Sequence, residues 1–426
     1  MNKEALKIIL TDQLNQFAQA DDIFLPRETL FKPLVGKANV ITGIRRSGKS
    51  VFLQEILRKK SKRPLILSFF DERLLDFKSN HFSMILECFS ELNDGAEPDY
   101  ILLDEIQLVD GWEMYASRLA TNKKWMVLLT GSSAKLLSKE IASELRGRSL
   151  RYEMFPFSFS EALRFQKINS TDKSTRNLGK INNALDQYLN WGGFPEIQSL
   201  DDGLRRRILN EYLEVLLFRD LIERNDFHKV SIARKLFVSL MRQYGNKFSL
   251  NQMLKKLQAE GMSVDKEAVS DFLRWMEDAY ILFPIRLHTS SEHVARVNPV
   301  KIYLNDLGMS QAIESSTESN RGRRFENLVF SELRQRPDFK SLTYFKTKSG
   351  FEVDFVFESL DHKKQLIQVA WDLNADSKDR EIRALEQAMS ELNIKNSTLI
   401  TSAQTDLISV SSGKIKVVKF SDFATR

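Results

Sequence analysis

Short runs of consecutive apolar residues alternate with amphipathic stretches between residue 39 and about residue 152. The runs Ala38–Thr42, Leu65–Phe70, Tyr100–Leu103 and Trp125–Thr130 read as strands. They are apolar at successive positions, so they predict a parallel sheet buried from both sides by the intervening helices. A helix is expected before them (Ala5–Ala20), then an entry loop carrying Pro26-Arg27. From Pro156 to His228 the pattern is helical, broken at Trp191-Gly192-Gly193-Phe194-Pro195.

Three helical patterns follow, Ser231–Tyr244, Ser249–Glu260 and Asp265–Tyr280, and then extended chain over Ile281–Leu287. Ser249 and Asp265 are good N-caps for the second and third, because a short oxygen-bearing side chain can accept from the first turn's N–H groups. The polar segment Glu314–Asn320 predicts a loop or linker. Beyond it the chain predicts a helix over Arg323–Arg336, strands near Thr343–Lys346, Glu352–Phe357 and Gln365–Val369, a helix over Lys378–Leu392 and a strand over Ser397–Thr401.

Composition narrows this picture only slightly. The 426 residues are 42% hydrophobic and 28% charged, ordinary for a globular protein with two to four domains. No window approaches the ~18 apolar residues of a membrane span, and the start lacks a signal-peptide pattern. Cys88 is the single cysteine. It excludes an intrachain disulfide and a cysteine-based zinc site, and a reducing cytoplasm is the expected location. A net charge of +6 permits a polyanionic partner without demanding one.

The chemistry starts at Gly43-Ile44-Arg45-Arg46-Ser47-Gly48-Lys49-Ser50, which fits G-x-x-x-x-G-K-[ST] at every fixed position. Apolar residues precede it and a helix-compatible run from Val51 follows, the context in which the pattern means a phosphate-binding loop. Glycines let successive N–H groups and a helix N-terminus converge on one anion. Lys49 is expected to reach the outer phosphates of a nucleotide as a point charge, and Ser50 to offer its hydroxyl to Mg2+. Tyr100-Ile101-Leu102-Leu103-Asp104-Glu105 is an apolar strand tipped by two acids. Asp104 is expected to hold the metal through its shell, and Glu105 to orient or deprotonate water.

The next strand ends at Thr130-Gly131-Ser132-Ser133. Thr130 and Ser132 are both candidates for fixing that water, with an N-cap for the following helix as the rival role. Arg146-Gly147-Arg148 offers an arginine that would stabilise charge in a neighbour's site. Arg45 and Arg46, inside the loop, would touch phosphate or position the loop.

These motifs resemble bacterial and archaeal AAA-type ATPases that carry a winged-helix module and a C-terminal restriction-endonuclease-like domain. The resemblance runs in order through Gly43–Ser50, Leu103–Gln107, Thr130–Ser133, Leu145–Arg148, Pro156–Phe159 and Gly192–Pro195. It continues through Arg323–Asn327 and Gly350–Phe355, nearly the whole chain. It implies ATP and magnesium binding by residues Gly43–Val51, with Arg148 as the arginine finger. It also implies an α/β fold: a P-loop NTPase parallel sheet (1–155), a helical lid (156–229), a winged helix-turn-helix (230–310) and an endonuclease-like α/β domain (321–426).

The winged helix would turn Lys266, Glu267, Ser270 and Arg274 outward on its third helix, a usual site of groove recognition. Glu267, Asp271, Glu277 and Asp278 on the same helix do not favour a phosphate surface. In the C-terminal domain Glu326 and Asp354 fit the endonuclease pattern of clustered carboxylates. Gln368 stands where another carboxylate should bind metal, and Ala370 where a lysine should act. Rescue by Lys346 or Lys348 would have to cover both losses, so the nuclease site is expected to be vestigial. The expected function is an ATPase working as a motor or switch coupled to DNA or protein, as a homo-oligomer or with a protein partner and without a membrane. The alternatives are an ATP-gated nuclease and a non-hydrolysing nucleotide sensor.

Overall fold

A computed structural model describes residues 1–19, 25–131, 145, 147–313 and 320–425. The chain packs as two compact units, Met1–Phe155 and Pro156–Arg426.

In the first unit the elements run α1 (Lys3–Gln19), β1 (Ala38–Thr42), α2 (Lys49–Lys60), β2 (Pro64–Ser68), α3 (Phe82–Leu92), β3 (Tyr100–Asp104), α4 (Trp112–Asn122), β4 (Met126–Thr130) and β5 (Ser149–Glu153). All five strands are parallel, in the order β2-β3-β4-β1-β5. Successive strand residues point to opposite faces, and both faces are covered. Val40, Leu65, Leu67, Ile101, Leu103, Val127 and Leu129 pack with α1, α3 and α4. Ile41, Ile66, Leu102 and Leu128 pack with Phe52, Leu53 and Leu57 of α2. This is why β1 to β4 read as apolar runs, while β5, at the sheet edge, does not. The first helix starts two residues earlier than its pattern predicts, and the expected end at Ala20 lies outside the described residues.

In the second unit the helices are α5 (Phe159–Phe165), α6 (Thr175–Trp191), α7 (Asp202–Val215), α8 (Val230–Met241), α9 (Leu250–Ala259) and α10 (Lys266–Asp278). The break after α6 has a physical cause. Gly192 has φ +70° and a Cβ there would fall 1.9 Å from Asp306 Oδ1. The buried Asp306 carboxylate accepts from Gly193 N at 2.6 Å and Gly308 N at 2.8 Å. Burial pushes its carboxyl up to about 7 against those two hydrogen bonds.

Asp265 caps α10 by accepting from Ala268 N at 2.7 Å, whereas Ser249 precedes α9 without a side-chain cap bond. Strands β6 (Lys247–Phe248), β7 (Leu282–Ile285) and β8 (Val300–Leu304) form an antiparallel sheet, β6-β8-β7, beside these helices. The expected linker falls mostly at 314–319, outside the described residues.

Next come α11 (Arg321–Arg334), β9 (Phe339–Lys346), β10 (Glu352–Ser359), β11 (Lys364–Val369), α12 (Ala375–Leu392), β12 (Asn396–Thr401), β13 (Asp406–Val410) and β14 (Gly413–Lys419). The mixed sheet runs β13-β14-β12-β11-β10-β9. Leu385, Ala388 and Met389 of α12 cover one face against Val353, Leu366 and Leu399.

The two sheets of this unit are tied together. Tyr344 N donates to Arg286 O at 3.0 Å and His288 N donates to Tyr344 O at 2.6 Å. The Asn327 side chain accepts from Leu304 N at 2.8 Å and donates to Leu304 O at 3.0 Å, acting as a strand partner for β8.

Candidate functional site

The strand β1 delivers the chain into the glycine-rich loop and α2 carries it away. Gly43 has φ +149°, and a Cβ on it would lie 2.0 Å from the Met154 carbonyl oxygen. Gly48 has φ +92° at the start of α2, where any side chain would be strained. Ile44 is buried, and Lys49 Nζ donates to the Gly43 carbonyl at 3.0 Å and the Ile44 carbonyl at 2.9 Å. The ammonium is thus folded into the curl of the loop. Ser47 Oγ is buried with no hydrogen-bond partner among the described residues, a polar atom that a bound phosphate would suit. Val51 is the third residue of α2, and Arg46 is exposed at φ +65° with Arg45 half-buried beside it.

The acidic strand comes close by way of β4, which separates it from β1. Ser50 Oγ donates to Asp104 Oδ1 at 3.1 Å and to Oδ2 at 3.3 Å. Thr130 Oγ1, at the tip of β4, donates to Asp104 Oδ1, and Ser68 Oγ, at the tip of β2, donates to Oδ2 at 3.3 Å. One carboxylate therefore collects three hydroxyls from three elements. Such a set fits a magnesium ion: a hard cation takes oxygen ligands, and the metal would displace the hydroxyl protons from the carboxylate. Glu105 has the left-handed φ of +52° and accepts from Gln107 Nε2, so it leaves the strand direction just after Asp104.

Not every candidate comes to this place. Arg148 precedes β5, and its carbonyl accepts from Ala38 N at 2.8 Å, at the far end of β1 from Gly43. Five residue steps at ~3.3 Å each put roughly 16 Å of chain between them. Its guanidinium donates to Thr121 Oγ1 at 2.8 Å. Ser132 and Arg146 lie outside the described residues.

Arg27 belongs to the loop's support and was legible only as part of an entry loop. It donates to Ser47 O at 2.9 Å and to Phe155 O at 2.6 Å, bracing the phosphate loop from outside. A lone arginine beside a proline carries no motif, so spacing alone did not single it out.

A second cluster lies in the other unit. Glu326 of α11 and Asp354 of β10 do meet, but Lys301 of β8 stands between them. Its Nζ lies 2.9 Å from Glu326 Oε1, 2.9 Å from Glu352 Oε1 and 3.0 Å from Asp354 Oδ1. Tyr303 Oη donates to Glu326 Oε1 at 2.6 Å. Burial pushes the Lys301 ammonium down, but Tyr303 and the three carboxylates outweigh it and hold it well above its ordinary value. Burial and the Asp354 charge push the Glu326 carboxyl up, against Lys301.

Gln368 is occupied otherwise: it accepts from Asp354 N at 3.1 Å and donates to Glu381 Oε2 at 2.6 Å. Lys346 and Lys348 are exposed. The cation beside the acids is therefore Lys301 of β8, which precedes the segment that carries Glu326 and Asp354. With Lys301 between these acids, no group of three or more His, Cys, Asp or Glu among the described residues is arranged to hold a metal ion.

A family model for an AAA domain matches residues 35–163. Two models of domains of unknown function, DUF8612 and DUF4143, match 182–320 and 321–422. The chain is 35% identical over 378 residues to the Uncharacterized protein MJ1544 of Methanocaldococcus jannaschii, covering 88% of this chain and 83% of that protein. The chain belongs to the same protein family as MJ1544.

An uncharacterized protein of Haemophilus influenzae is 26% identical over 342 residues, covering 78% of this chain and 82% of its own. The AAA domain carries the loop, the acidic strand and the Thr130 strand described above, so the fold around them is that of an AAA-type P-loop protein. Among solved structures, Cdc6p from Pyrobaculum aerophilum aligns at TM-score 0.23 and 12% identity over 73% of this chain and 91% of that one. A chain of Drosophila ORC bound to AT-rich DNA and Cdc6 aligns at TM-score 0.20 and 10% identity, over 71% and 88%. Overlays this loose bear on neither fold nor activity. No helix among the described residues is long and apolar enough to cross a membrane.

Proposed function

We propose that this protein is a magnesium-dependent ATPase whose AAA domain drives a motor or switch coupled to DNA or protein binding by its other unit. The observation that carries this reading is the Asp104 carboxylate, which gathers the hydroxyls of Ser50 and Thr130 beside the Lys49-bearing loop. Residues Gly43–Val51 would hold the phosphates of ATP, with Lys49 leaving the Gly43 and Ile44 carbonyls for phosphate oxygens. Ser50 and Asp104 would hold magnesium, which neutralises phosphate charge.

Glu105 would orient and deprotonate water, and Thr130, with Ser132, would fix it. Arg148 would serve another copy's site, since its own loop is at the other end of the sheet. A low basal rate follows when that copy is absent.

The division into lid (156–229), winged helix (230–310) and endonuclease-like domain (321–426) belongs to the same proposal. Three helices, the third capped by Asp265, beside an antiparallel sheet in the order β6-β8-β7 support the winged helix. Lys266, Glu267, Ser270 and Arg274 are exposed on its third helix. Nuclease chemistry is disfavoured by Gln368, Ala370 and the lysine between the acids.

Steady-state phosphate release, with and without duplex DNA, tests the proposal. Magnesium-dependent release that changes with DNA or a protein partner is expected. Tight ATP binding with no release under any of these conditions would favour the non-hydrolysing nucleotide sensor.

A further inference from the structure

Lys301 is almost wholly enclosed, its side chain 6% exposed, and its ammonium has three hydrogens to donate. The structure matches those three donors to three carboxylates from two elements: Glu326 on α11, and Glu352 and Asp354 on one face of β10. Without a cation between them, three acids gathered in a buried place would repel one another strongly.

The acids are also held from behind. Val369 N donates to Asp354 Oδ2 at 3.0 Å, Tyr303 Oη donates to Glu326, and Lys247 pairs with the outer oxygen of Glu352. Each carboxylate is thus oriented by a second partner, as ligands around a metal usually are. A divalent ion takes carboxylate oxygens at ~2.0–2.6 Å, so oxygens now about 3 Å from one nitrogen need contract only by a few tenths of an ångström to about one.

We propose that Lys301 is a built-in substitute for a divalent cation: it fills the site formed by Glu326, Glu352 and Asp354, excludes metal from it, and locks β8 to α11 and β10. The C-terminal segment then keeps the carboxylates of a metal site without needing a metal. The lock is polar and directional, so it fixes the register of the three-stranded sheet against the six-stranded one. Removing the ammonium leaves uncompensated acids that a hard divalent ion such as Mn2+ satisfies.

The test is a Mn2+ titration of the nucleotide-free full chain, read by loss of the free-ion electron paramagnetic resonance signal. Wild type and Asp354→Asn are expected to bind the same number of ions. Lys301→Ala and Lys301→Met are expected to bind one more per chain, and Lys301→Ala with Asp354→Asn to lose it again. Should the single Lys301 variants fail to fold, Mn2+ is expected to restore their circular dichroism. The proposal is overturned if wild type binds an ion that Asp354→Asn removes, which would make Lys301 a neighbour of metal rather than its replacement. It is equally overturned if folded Lys301 variants gain no ion, or if unfolded ones are not restored.

Discussion

Ser50 and Asp104 lie 54 positions apart in the chain and share a hydrogen bond of 3.1 Å. The contact joins the first turn of α2 to the tip of β3 across the end of β4. It places a hydroxyl and a carboxylate where one hard cation would touch both, and Lys49 stands next to it in sequence. Several consequences for binding and turnover depend on this contact.

Glu105 and Asp104 are adjacent, yet only Asp104 takes the three hydroxyls. Glu105→Gln is therefore expected to leave ATP binding intact and to lower turnover by ~10²–10⁴, the usual worth of a positioned base. Rapid filtration with labelled ATP should find the nucleotide retained. Loss of binding together with turnover would assign Glu105 to the metal instead.

Gly43→Ala adds a methyl group 2.0 Å from the Met154 carbonyl oxygen. Overpacking of this kind costs about 1–3 kcal/mol, and the loop must shift to relieve it. Urea melts should show the first unit destabilised, and fluorescent ATP analogues should bind far more weakly. Unchanged stability and affinity would mean that β1 and residue 154 do not approach as described.

Arg148 lies beside the end of β1 remote from its own loop, so its contribution should cross between copies. Arg148→Ala is expected to lower turnover by up to ~10³–10⁵, the range for a supplied arginine. Mixing it with Lys49→Ala should restore activity, because one variant keeps the loop and the other keeps the arginine. A specific rate independent of concentration, with no rescue on mixing, would count against a role between copies.

Asp306 should make the second unit less stable as pH rises. Its carboxyl titrates near 7 in the folded protein and near 4 when unfolded. Over that interval the folded state keeps a proton that the unfolded chain releases, so the contribution is full below about 4 and fades toward 7. Asp306→Asn cannot ionise and loses one acceptor for Gly193 or Gly308. Its melting temperature should lie below that of wild type at about pH 5, with the gap narrowing by pH 8. A constant gap would show that Asp306 does not titrate in this window.

What the amino-acid pattern revealed, and what it hid, has a physical logic. Four strands of the first unit were legible because burial on both faces leaves an unbroken apolar run, whereas β5, a half-exposed edge strand with the sequence Ser149-Leu150-Arg151-Tyr152-Glu153, was missed. Lys49, Ser50 and Asp104 were legible as a group because a glycine-rich loop pattern before a helix and an acid-tipped apolar strand stand out by residue type and spacing, and the structure joins Ser50 to Asp104. Thr130 could be placed near Asp104, since its strand ends in polar residues, but its bond to the carboxylate needed the register of β4 against β3.

Arg27 and Lys301 were hidden for a common reason. Each acts through contacts with chain far away in sequence, and neither sits in a recurring spacing. Gln368 and Ala370 departed from the pattern that Glu326 and Asp354 suggested. The ammonium beside those acids comes from β8, where Lys301 reads as an ordinary polar position between apolar neighbours. Glu352, one of its three partners, alternates with Asp354 on β10 and became conspicuous only once a buried ammonium was found between them.

The most direct test of the central claim is calorimetric titration of ATP with magnesium into wild type and into Lys49→Ala. Wild type is expected to bind one nucleotide per chain, and the variant none. Absence of heat with the wild-type protein, or equal binding by both, would contradict a nucleotide site built on the Gly43–Ser50 loop and Asp104.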